Sequence, residues 1–346
     1  MSERGSNRRS RSYMNILFSI LLLLLGTGVS AYSAENANYK AAKKEGKVVL
    51  YTVMNAADNR VIMQEFEKKY PGVSVEGWRG GTAALLSRVL TEKRAGALKA
   101  DLIFSGAAEM QVFKKRGLVQ KYFSPEAKAT PDNFKDPEGY WTNVHPLLQV
   151  VGYNTEQVKP GDVPQTYNDL LKPQWKSQMS MDRVEYAWFA TLQKAWGREK
   201  AIAYCKKLAA QNIRFDSGHT KIATLVAAGD IPIGINLFAY RVSEFRRKGA
   251  PIDWVALDPV VAILEVAAVT ATAKHPNAAR LLMDFMLSVD GQKLIRSFGR
   301  VPGRPGVEPI DKRLGKVKAY PTDVAAIYER GLNLFGKEYR EIFDIK

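Results

Sequence analysis

The sequence predicts an α/β protein built from two lobes. Strand and helix patterns alternate three times within about 75 residues near the start of the chain, which is typical of a parallel sheet covered by helices. A second α/β unit follows, and two apolar, strand-like segments near 147–153 and 262–270 connect the units. Two such crossings predict a two-strand hinge with a ligand cleft between the lobes.

The composition is that of a globular chain long enough for two domains. Of its 346 residues, 46% are hydrophobic and 25% are charged, which excludes a mostly disordered or fibrous protein. The single cysteine, Cys205, excludes an internal disulfide and a multi-cysteine zinc or iron–sulfur site. Three histidines leave little room for a histidine-rich metal site, and no cofactor is predicted.

The first 31 residues have the pattern of a cleaved signal peptide. Four arginines precede an apolar core of about 14 residues, which is shorter than the roughly 20 residues needed to span a bilayer. Small residues at 29–31 predict cleavage after Ala31, and the alternative is an uncleaved membrane anchor. No second long apolar segment follows, so we expect a soluble exported protein, with a monomer as the default state.

The strongly basic charge does not by itself indicate a nucleic-acid partner. The formal net charge is +16, and the predicted signal peptide accounts for only three of these charges. Lysines and arginines are scattered through helical patterns, and no run interleaves them with base-stacking aromatic residues, so no nucleic-acid partner is predicted. Two interpretations remain, a solvated surface and an electrostatic field that attracts an anionic ligand.

The spacing of apolar residues predicts the elements of the first lobe in order. A helix at 39–45 ends at Gly46, and strands follow at 47–51, 73–78 and 101–104. The helices that alternate with these strands are predicted at 59–70, from 82 onward, and at 109–116. Ligands of parallel α/β sheets bind beyond the carboxyl ends of the strands. The loops at 52–55, 79–82 and 105–107 are therefore predicted to line the cleft.

The second lobe follows an irregular segment at 120–143. Strands are predicted at 147–153, 178–181, 231–236 and 260–269, and helices at 187–196, 199–210, 220–228 and 240–247. Helices at 277–287 and 291–298, and a last one from about Thr322, close the chain. The predicted division assigns 39–148 and about 268–346, with the closing C-terminal helices, to lobe 1, and 149–267 to lobe 2.

Several motifs resemble those of ABC-transporter periplasmic solute-binding proteins of the ferric-iron-binding group, which are like extracellular solute-binding family 1. The motifs are Val-Pro-x-Thr-Tyr-x-Asp-Leu-Leu at 163–171, Pro-x-Trp-Lys at 173–176, Ala-Ala-Gly-Asp-Ile-Pro-Ile-Gly-Ile-Asn at 227–236, Lys-Gly-Ala-Pro-Ile at 248–252, His-Pro-Asn-Ala-Ala-Arg at 275–280 and Ser-x-x-Gly-Gln at 288–292. The resemblance covers essentially the whole mature chain. It implies a type II periplasmic-binding-protein fold, a periplasmic location, delivery of a solute to an inner-membrane permease, and no catalysis.

The iron ligands of that group are not retained. Its ferric-binding members have a His after the first strand, where the best alignment places Asn55, and often a Glu at a position that falls near Gly106. Their adjacent tyrosine pair is absent, because Leu-Phe-Ala follows Asn236. Fe(III) requires anionic oxygen donors, so no metal site is predicted. The alternative is a ferric site with non-standard ligands, Tyr186 and Tyr240, and an exogenous anion.

The predicted cleft holds an anion through backbone N–H groups at helix N-termini. Gly80-Gly81-Thr82 precedes a helix and Ser105-Gly106 forms a similar loop, and ordinary helix capping is the alternative for both. Arg79 is suited to bidentate contact with a carboxylate or phosphate, or else lies at the surface. The candidate ligand-binding residues are Asn55, Arg79, Gly81, Thr82, Ser105, Gly106, Tyr186, His219, Asn236 and Tyr240.

The leading hypothesis is the periplasmic solute-binding component of an ABC importer, which captures a small anionic or polar organic solute by lobe closure. Phosphonates, sugar phosphates and carboxylates are the candidate classes. Ferric binding through non-standard ligands is the alternative within the same role. A secreted hydrolase is the alternative of another class. The sequence has no Gly-x-Ser-x-Gly, His-Glu-x-x-His or phosphate-loop motif, so no enzyme is predicted.

Overall fold

The computed structural model describes residues 38–345, apart from 325–326 and 329–331. The predicted signal peptide lies outside these residues. The first elements are the helical residues 38–45 (α1), β1 (Lys47–Thr52), α2 (Ala56–Lys69), β2 (Ser74–Arg79), α3 (Thr82–Arg94), β3 (Leu102–Gly106) and α4 (Ala107–Lys115). These bounds agree closely with the sequence prediction.

The rest of the chain adds the second lobe and the closing elements. In order, these are β4 (Thr142–Asn154), β5 (Met179–Asp182), α5 (Tyr186–Trp196), α6 (Arg198–Ala209), β6 (Arg214–Asp216), α7 (His219–Ala227), β7 (Ile233–Phe238), α8 (Ala239–Arg247), β8 (Ile252–Val255), β9 (Val260–Val269), α9 (Pro276–Leu287), α10 (Val289–Ser297), β10 (Ala319–Pro321) and α11 (Leu332–Phe343). The short strands β6, β8 and β10 are not apparent from the sequence pattern. No helix in the described part of the chain has the length and hydropathy that crossing a bilayer requires.

The ten strands are linked in one sheet because β4 and β9 take part in both lobes. These two strands run antiparallel beside each other, with 142–149 opposite 261–267. The first lobe adds β3, β1 and β2 to the 265–269 end of β9. The second lobe adds β7, β5 and β6 to the 149–153 end of β4. The predicted α/β fold, with two lobes joined by a pair of strands, is therefore confirmed.

Parallel pairing places the starts of the helices at one edge of each lobe. Strands β2 and β3 are both parallel to β1, and β6 and β7 are both parallel to β5. Their carboxyl ends lead into α2, α3 and α4 in the first lobe, and into α5, α7 and α8 in the second. Because a helix begins with unpaired N–H groups, each lobe presents polar backbone at the edge where its strands end.

The two faces of the shared strands are packed differently. On one face, a single apolar cluster extends from Ile103 and Val266 in the first lobe to Val150 and Leu237 in the second. On the other face, one cluster packs with α2, α9 and α10, and a separate cluster packs with α5, α6 and α11. The part of β4 and β9 that lies between these two clusters carries polar residues.

The C-terminal helix α11 packs on the second lobe. Its Phe335, Tyr339 and Phe343 share a cluster with Trp188 and Phe189 of α5. The predicted assignment of the whole 268–346 segment to lobe 1 therefore does not hold for α11. The amphipathic pattern of this helix shows that it covers apolar surface, but the pattern does not say which lobe supplies the aromatic partners.

Candidate functional site: a polar strip between the lobes

The register of three strands places polar residues together on one face of the sheet. Gly106 of β3 and His145 of β4 both lie directly opposite Glu265 of β9. Directly opposed residues of neighbouring strands project from the same face. Gln149 is opposite Val261, which lies four residues from Glu265 along β9. Because side chains alternate between the two faces with a period of two, Val261 and Glu265 project from the same face. Gln149 therefore shares the face of Glu265.

Three helix starts add further polar side chains to this face. Glu109 lies in the first turn of α4, with Oε2 2.7 Å from the position that a Cβ on Gly106 would occupy. Glu185 is the N-cap of α5 and accepts a hydrogen bond of 2.6 Å from Gln149 Nε2. His219 is the first residue of α7, and its Nδ1 lies 3.4 Å from Glu185 Oε1 without hydrogen-bond alignment. We call this set the polar strip; its members are Glu109, His145, Gln149, Glu185, His219 and Glu265.

Several buried polar atoms of the polar strip have no aligned hydrogen-bond partner in the described part of the chain. They are both ring nitrogens of His145, Oε1 of Gln149, Oε1 of Glu185 and Nδ1 of His219. The side chains are well removed from solvent, since His145 and Glu185 are 1% exposed and Gln149 is 4% exposed. Buried polar groups in folded proteins are normally hydrogen-bonded. A concentration of unpaired groups between two lobes indicates a place where a polar ligand completes the hydrogen bonds.

Burial changes the protonation of the polar strip. Desolvation raises the pKa of Glu265 to about 7, while Arg300 acts to lower it and Glu109 to raise it. Desolvation also raises the pKa of Glu109, and it raises that of Glu185 well above its usual range, against the hydrogen bond from Gln149. The pKa of His145 is well below its usual value, first because of burial and then because of Arg300. Near neutral pH, Glu265 therefore carries only part of a negative charge, and burial favours the uncharged forms of Glu185 and His145.

Arg300 places a positive charge beside the strip and connects the two lobes. Its guanidinium lies 3.0 Å from Asp58 of α2 and 5.1 Å from the ring centroid of Tyr240 in α8. Asp58 in turn accepts a hydrogen bond of 2.6 Å from the side-chain amide of Asn55, whose own oxygen caps α2. The predicted residue Asn55 therefore contributes to helix capping and, through Asp58, to the position of Arg300.

Three of the sequence-predicted residues lie together with the strip in the second lobe. His219 belongs to it, and its ring centroid is 4.1 Å from that of Phe238. The side chain of Asn236 is close enough to Glu185 to lower the pKa of that carboxyl, and Asn236 is buried with a φ of +62°. The ring of Tyr240 is stacked at 6.3 Å from Phe238. His219, Phe238, Tyr240 and Arg300 thus form a continuous row of side chains that crosses from one lobe to the other.

The predicted anion-binding loops of the first lobe differ in where their residues lie relative to the strip. Arg79, Gly81 and Thr82 are exposed, and α3 begins at Gly81 without a side-chain cap, so its first N–H groups remain available. Ser105 lies opposite Val266, whose side chain belongs to the apolar cluster on the other face, so the Ser105 hydroxyl projects away from the strip. Gly106 does lie in the strip, but the Glu109 carboxylate covers it and would repel an anion there.

Tyr186 is not brought to the strip. Its hydroxyl accepts a hydrogen bond of 2.9 Å from Arg340, and its ring packs edge-on against Tyr339 of α11. Tyr240 instead contacts Phe238 and Arg300, so the two tyrosines considered as iron ligands have different neighbours. Among the described residues, no group of three or more His, Cys, Asp or Glu side chains is arranged to hold a metal ion.

Sequence reasoning missed Glu109, His145, Gln149, Glu185, Glu265 and Arg300. A signal was present for Glu265, because it is a lone charged residue within an apolar ten-residue strand. Gln149 is likewise a polar residue within a buried strand, and such a residue normally has a hydrogen-bond partner or a functional role. Glu185 and Arg300 had no comparable signal, since their positions depend on how loops pack between lobes.

Comparison with known proteins agrees with this architecture. The model of the bacterial extracellular solute-binding protein family matches residues 98–323. The chain belongs to this family. The family resemblance stated from the motifs is thereby confirmed, and the extracellular location of the family agrees with the predicted export.

Other solute-binding proteins cover nearly the whole described chain. The Fe(3+)-binding periplasmic protein of Serratia marcescens is 22% identical over 289 residues, which are 80% of this chain and 82% of that protein. Iron-bound HitA from Pseudomonas aeruginosa superposes with a TM-score of 0.72 at 21% identity, over 86% of this chain and 99% of that one. AfuA from Actinobacillus pleuropneumoniae, with fructose-6-phosphate bound, superposes with a TM-score of 0.72 at 25% identity, over 87% of this chain and 99% of that one. The same fold thus binds iron in one protein and a sugar phosphate in another, so membership of the family leaves the solute of this chain open.

Proposed function

We propose that the protein is the periplasmic component of an ABC importer and that it binds a small organic anion with further polar groups between its lobes. The observation that carries the proposal is the polar strip, where buried hydrogen-bonding atoms lack aligned partners among the residues that the structure describes. Membership of the solute-binding family supports the transport role. The similarity to AfuA with its bound fructose-6-phosphate supports an organic anion as the solute. The protein would act as a monomer that delivers the solute to an inner-membrane permease, without catalysis.

Helix N-termini at the ends of the strands suit the anionic group of such a solute. Helices α3 and α8 have Gly81 and Phe238 as their N-caps, without a side-chain hydrogen bond at the cap. The N–H of Gly218, the N-cap of α7, instead donates to Asp182 Oδ2. Unpaired N–H groups and the helix dipole favour a negative charge at such positions. The positive charge of Arg300 and the net positive charge of the chain also favour a bound anion.

Ferric iron is the competing solute, because relatives of this chain bind it. Fe(III) favours anionic oxygen donors such as phenolate and carboxylate. In this chain Phe238 and Ala239 follow Asn236, and the carboxyl groups of the strip are held in surroundings that favour their protonated form. Both features disfavour coordination of a trivalent cation.

Calorimetry on the mature chain, residues 32–346, tests the proposal. The panel contains fructose 6-phosphate, methylphosphonate, citrate, and ferric iron with citrate or phosphate. We expect at least one organic anion to bind without iron at micromolar affinity or better, which corresponds to about −8 kcal/mol. If only the ferric mixtures bind, with a visible phenolate-to-iron absorption band, the organic-anion proposal is wrong.

A further inference from the structure

The surroundings of the Glu265 carboxyl group are unusual. Within the described residues, no donor reaches its side chain, and Arg300 affects it through space without forming a salt bridge. For Glu109 beside it, the one donor among the described residues is its own backbone N–H. Both side chains are partly buried, and two neighbouring carboxyl groups without protein donors weaken the fold to the extent that water solvates their ionised forms poorly.

A structural glutamate elsewhere in the chain shows the contrast. Glu92 of α3 accepts hydrogen bonds of 2.8 Å from the Tyr51 hydroxyl and 2.8 Å from Arg88 Nε, and one of 3.2 Å from the backbone N–H of Lys99. Its carboxylate is satisfied entirely within the protein. Glu265 has no such set, so its presence in the middle of an apolar strand is not explained by folding.

The surroundings of Glu265 favour hydroxyl groups as its partners. A hydroxyl both donates and accepts, and the strip combines acceptors on Glu109, Gln149 and Glu265 with donor capacity on His145 and Arg300. A cationic amine is the other donor that suits a carboxylate. The positive charge of Arg300, which acts on Glu265, and the net charge of +16 both disfavour a cation at this position.

We propose that Glu265, with Glu109 beside it, binds the hydroxyl groups of the solute, so that the solute class is hydroxyl-rich organic anions such as sugar phosphates. This inference rests on the proposed function and narrows its ligand class. It makes Glu265 the residue that separates such solutes from phosphonates and simple phosphates. A site built to hydrogen-bond a substrate hydroxyl rejects analogues without it, because its polar groups are then left unpaired.

The test compares the mature wild type with Glu265→Gln and Glu109→Gln. The hydroxyl-rich probes are fructose 6-phosphate, glucose 6-phosphate and ribose 5-phosphate, and the hydroxyl-poor probes are methylphosphonate and inorganic phosphate. We expect the tightest sugar phosphate to bind the wild type at least about tenfold more tightly than either hydroxyl-poor probe. At pH 8, above the pKa of about 7 for Glu265, Glu265→Gln should weaken that sugar phosphate about ten- to a hundredfold, since a hydrogen bond to a charged group is lost. Binding of inorganic phosphate should change by less than about threefold.

Thermal unfolding without ligand separates this role from a structural one. Because Glu265 is retained for binding, Glu265→Gln should unfold at a higher temperature than the wild type at pH 8. Glu92→Gln is the matched control, and it should unfold at a lower temperature with its sugar-phosphate affinity unchanged.

The failure of this inference is distinguishable from failure of the proposed function. If methylphosphonate or citrate binds as tightly as every sugar phosphate, or if Glu265→Gln retains the full preference for sugar phosphates, the hydroxyl assignment is wrong and the organic-anion function stands. If no organic anion binds the wild type at all, both are wrong.

Discussion

The two faces of the shared strands β4 and β9 carry different kinds of side chains. One face carries Val150, Leu264 and Val266 in an apolar cluster that continues through both lobes. The other carries His145, Gln149 and Glu265, and it separates two apolar clusters that belong to different lobes. His145 and Gln149 are as well buried as Val150, Leu264 and Val266, so the contrast is in chemistry rather than in accessibility alone.

This contrast indicates that stability and binding are assigned to opposite faces of the same strands. Apolar burial on the continuous face holds the two lobes to their common strands. The polar strip places unpaired hydrogen-bonding groups where packing would favour apolar side chains, and such groups lower stability. Proteins commonly accept this loss of stability at functional sites. Substitutions on the two faces should therefore have opposite effects on folding and on binding.

The largest expected effect is on the apolar face. Ile103 of β3 is fully buried in the continuous cluster, and Ile103→Ala removes three carbon atoms and leaves a cavity. We expect a loss of about 2–5 kcal/mol in the free energy of unfolding, measured by urea denaturation. Solute affinity should be unchanged under conditions where the variant is folded. A loss below about 1 kcal/mol would contradict the role of this face.

The next effect concerns the dependence of stability on pH. The pKa of Glu265 is raised to about 7 in the folded protein, whereas a glutamate in the unfolded chain titrates near 4.5. Between these values the folded state binds more protons than the unfolded state, so this group lowers the stability of the fold as the pH rises from about 4.5 to about 7. Glu265→Gln removes that contribution.

Thermal unfolding of the wild type and Glu265→Gln at several pH values measures this effect. The two unfolding temperatures should be similar near pH 4.5, and the variant should be more stable by roughly 3 °C above pH 7. A constant difference across this range would show that Glu265 does not titrate as its surroundings indicate.

A smaller effect is expected for His145. Both of its ring nitrogens are buried without an aligned partner, and burial keeps the ring uncharged. His145→Leu replaces these groups with an apolar side chain, so we expect the ligand-free protein to gain about 1 kcal/mol or to remain unchanged. The affinity for the solute should fall in the same variant. A large loss of stability would mean that His145 is hydrogen-bonded within the fold.

The smallest effect is expected for Tyr186, which lies outside the strip. Its hydroxyl makes one exposed hydrogen bond to Arg340, so Tyr186→Phe should lower the free energy of unfolding by less than about 1 kcal/mol. Affinity for organic anions should be unchanged in calorimetry. A strong loss of solute or ferric binding would restore Tyr186 as a ligand.

The sequence pattern was sufficient for the fold but for only part of the site. Alternating strands and helices, and the long apolar strand at 260–269, predicted the two lobes and their connection. His219, Asn236 and Tyr240 lie close to one another in the structure, because they come near or after the ends of strands that meet at one edge, and their role in binding stays a prediction. Glu265 was overlooked, because the strand was predicted from its many apolar residues, and one polar residue does not change that prediction. The docking of α11 and the position of Arg300 depend on contacts between distant segments, which local patterns do not specify.

The central claim is that the solute is held by the polar strip between the two lobes. A crystal structure of the mature protein with its tightest-binding solute tests this claim most directly. We expect polar atoms of the solute within hydrogen-bond distance of Glu265, Gln149 and His219, with its anionic group at a helix N-terminus. A solute bound outside the cleft, or an iron ion coordinated by Tyr240, would contradict it.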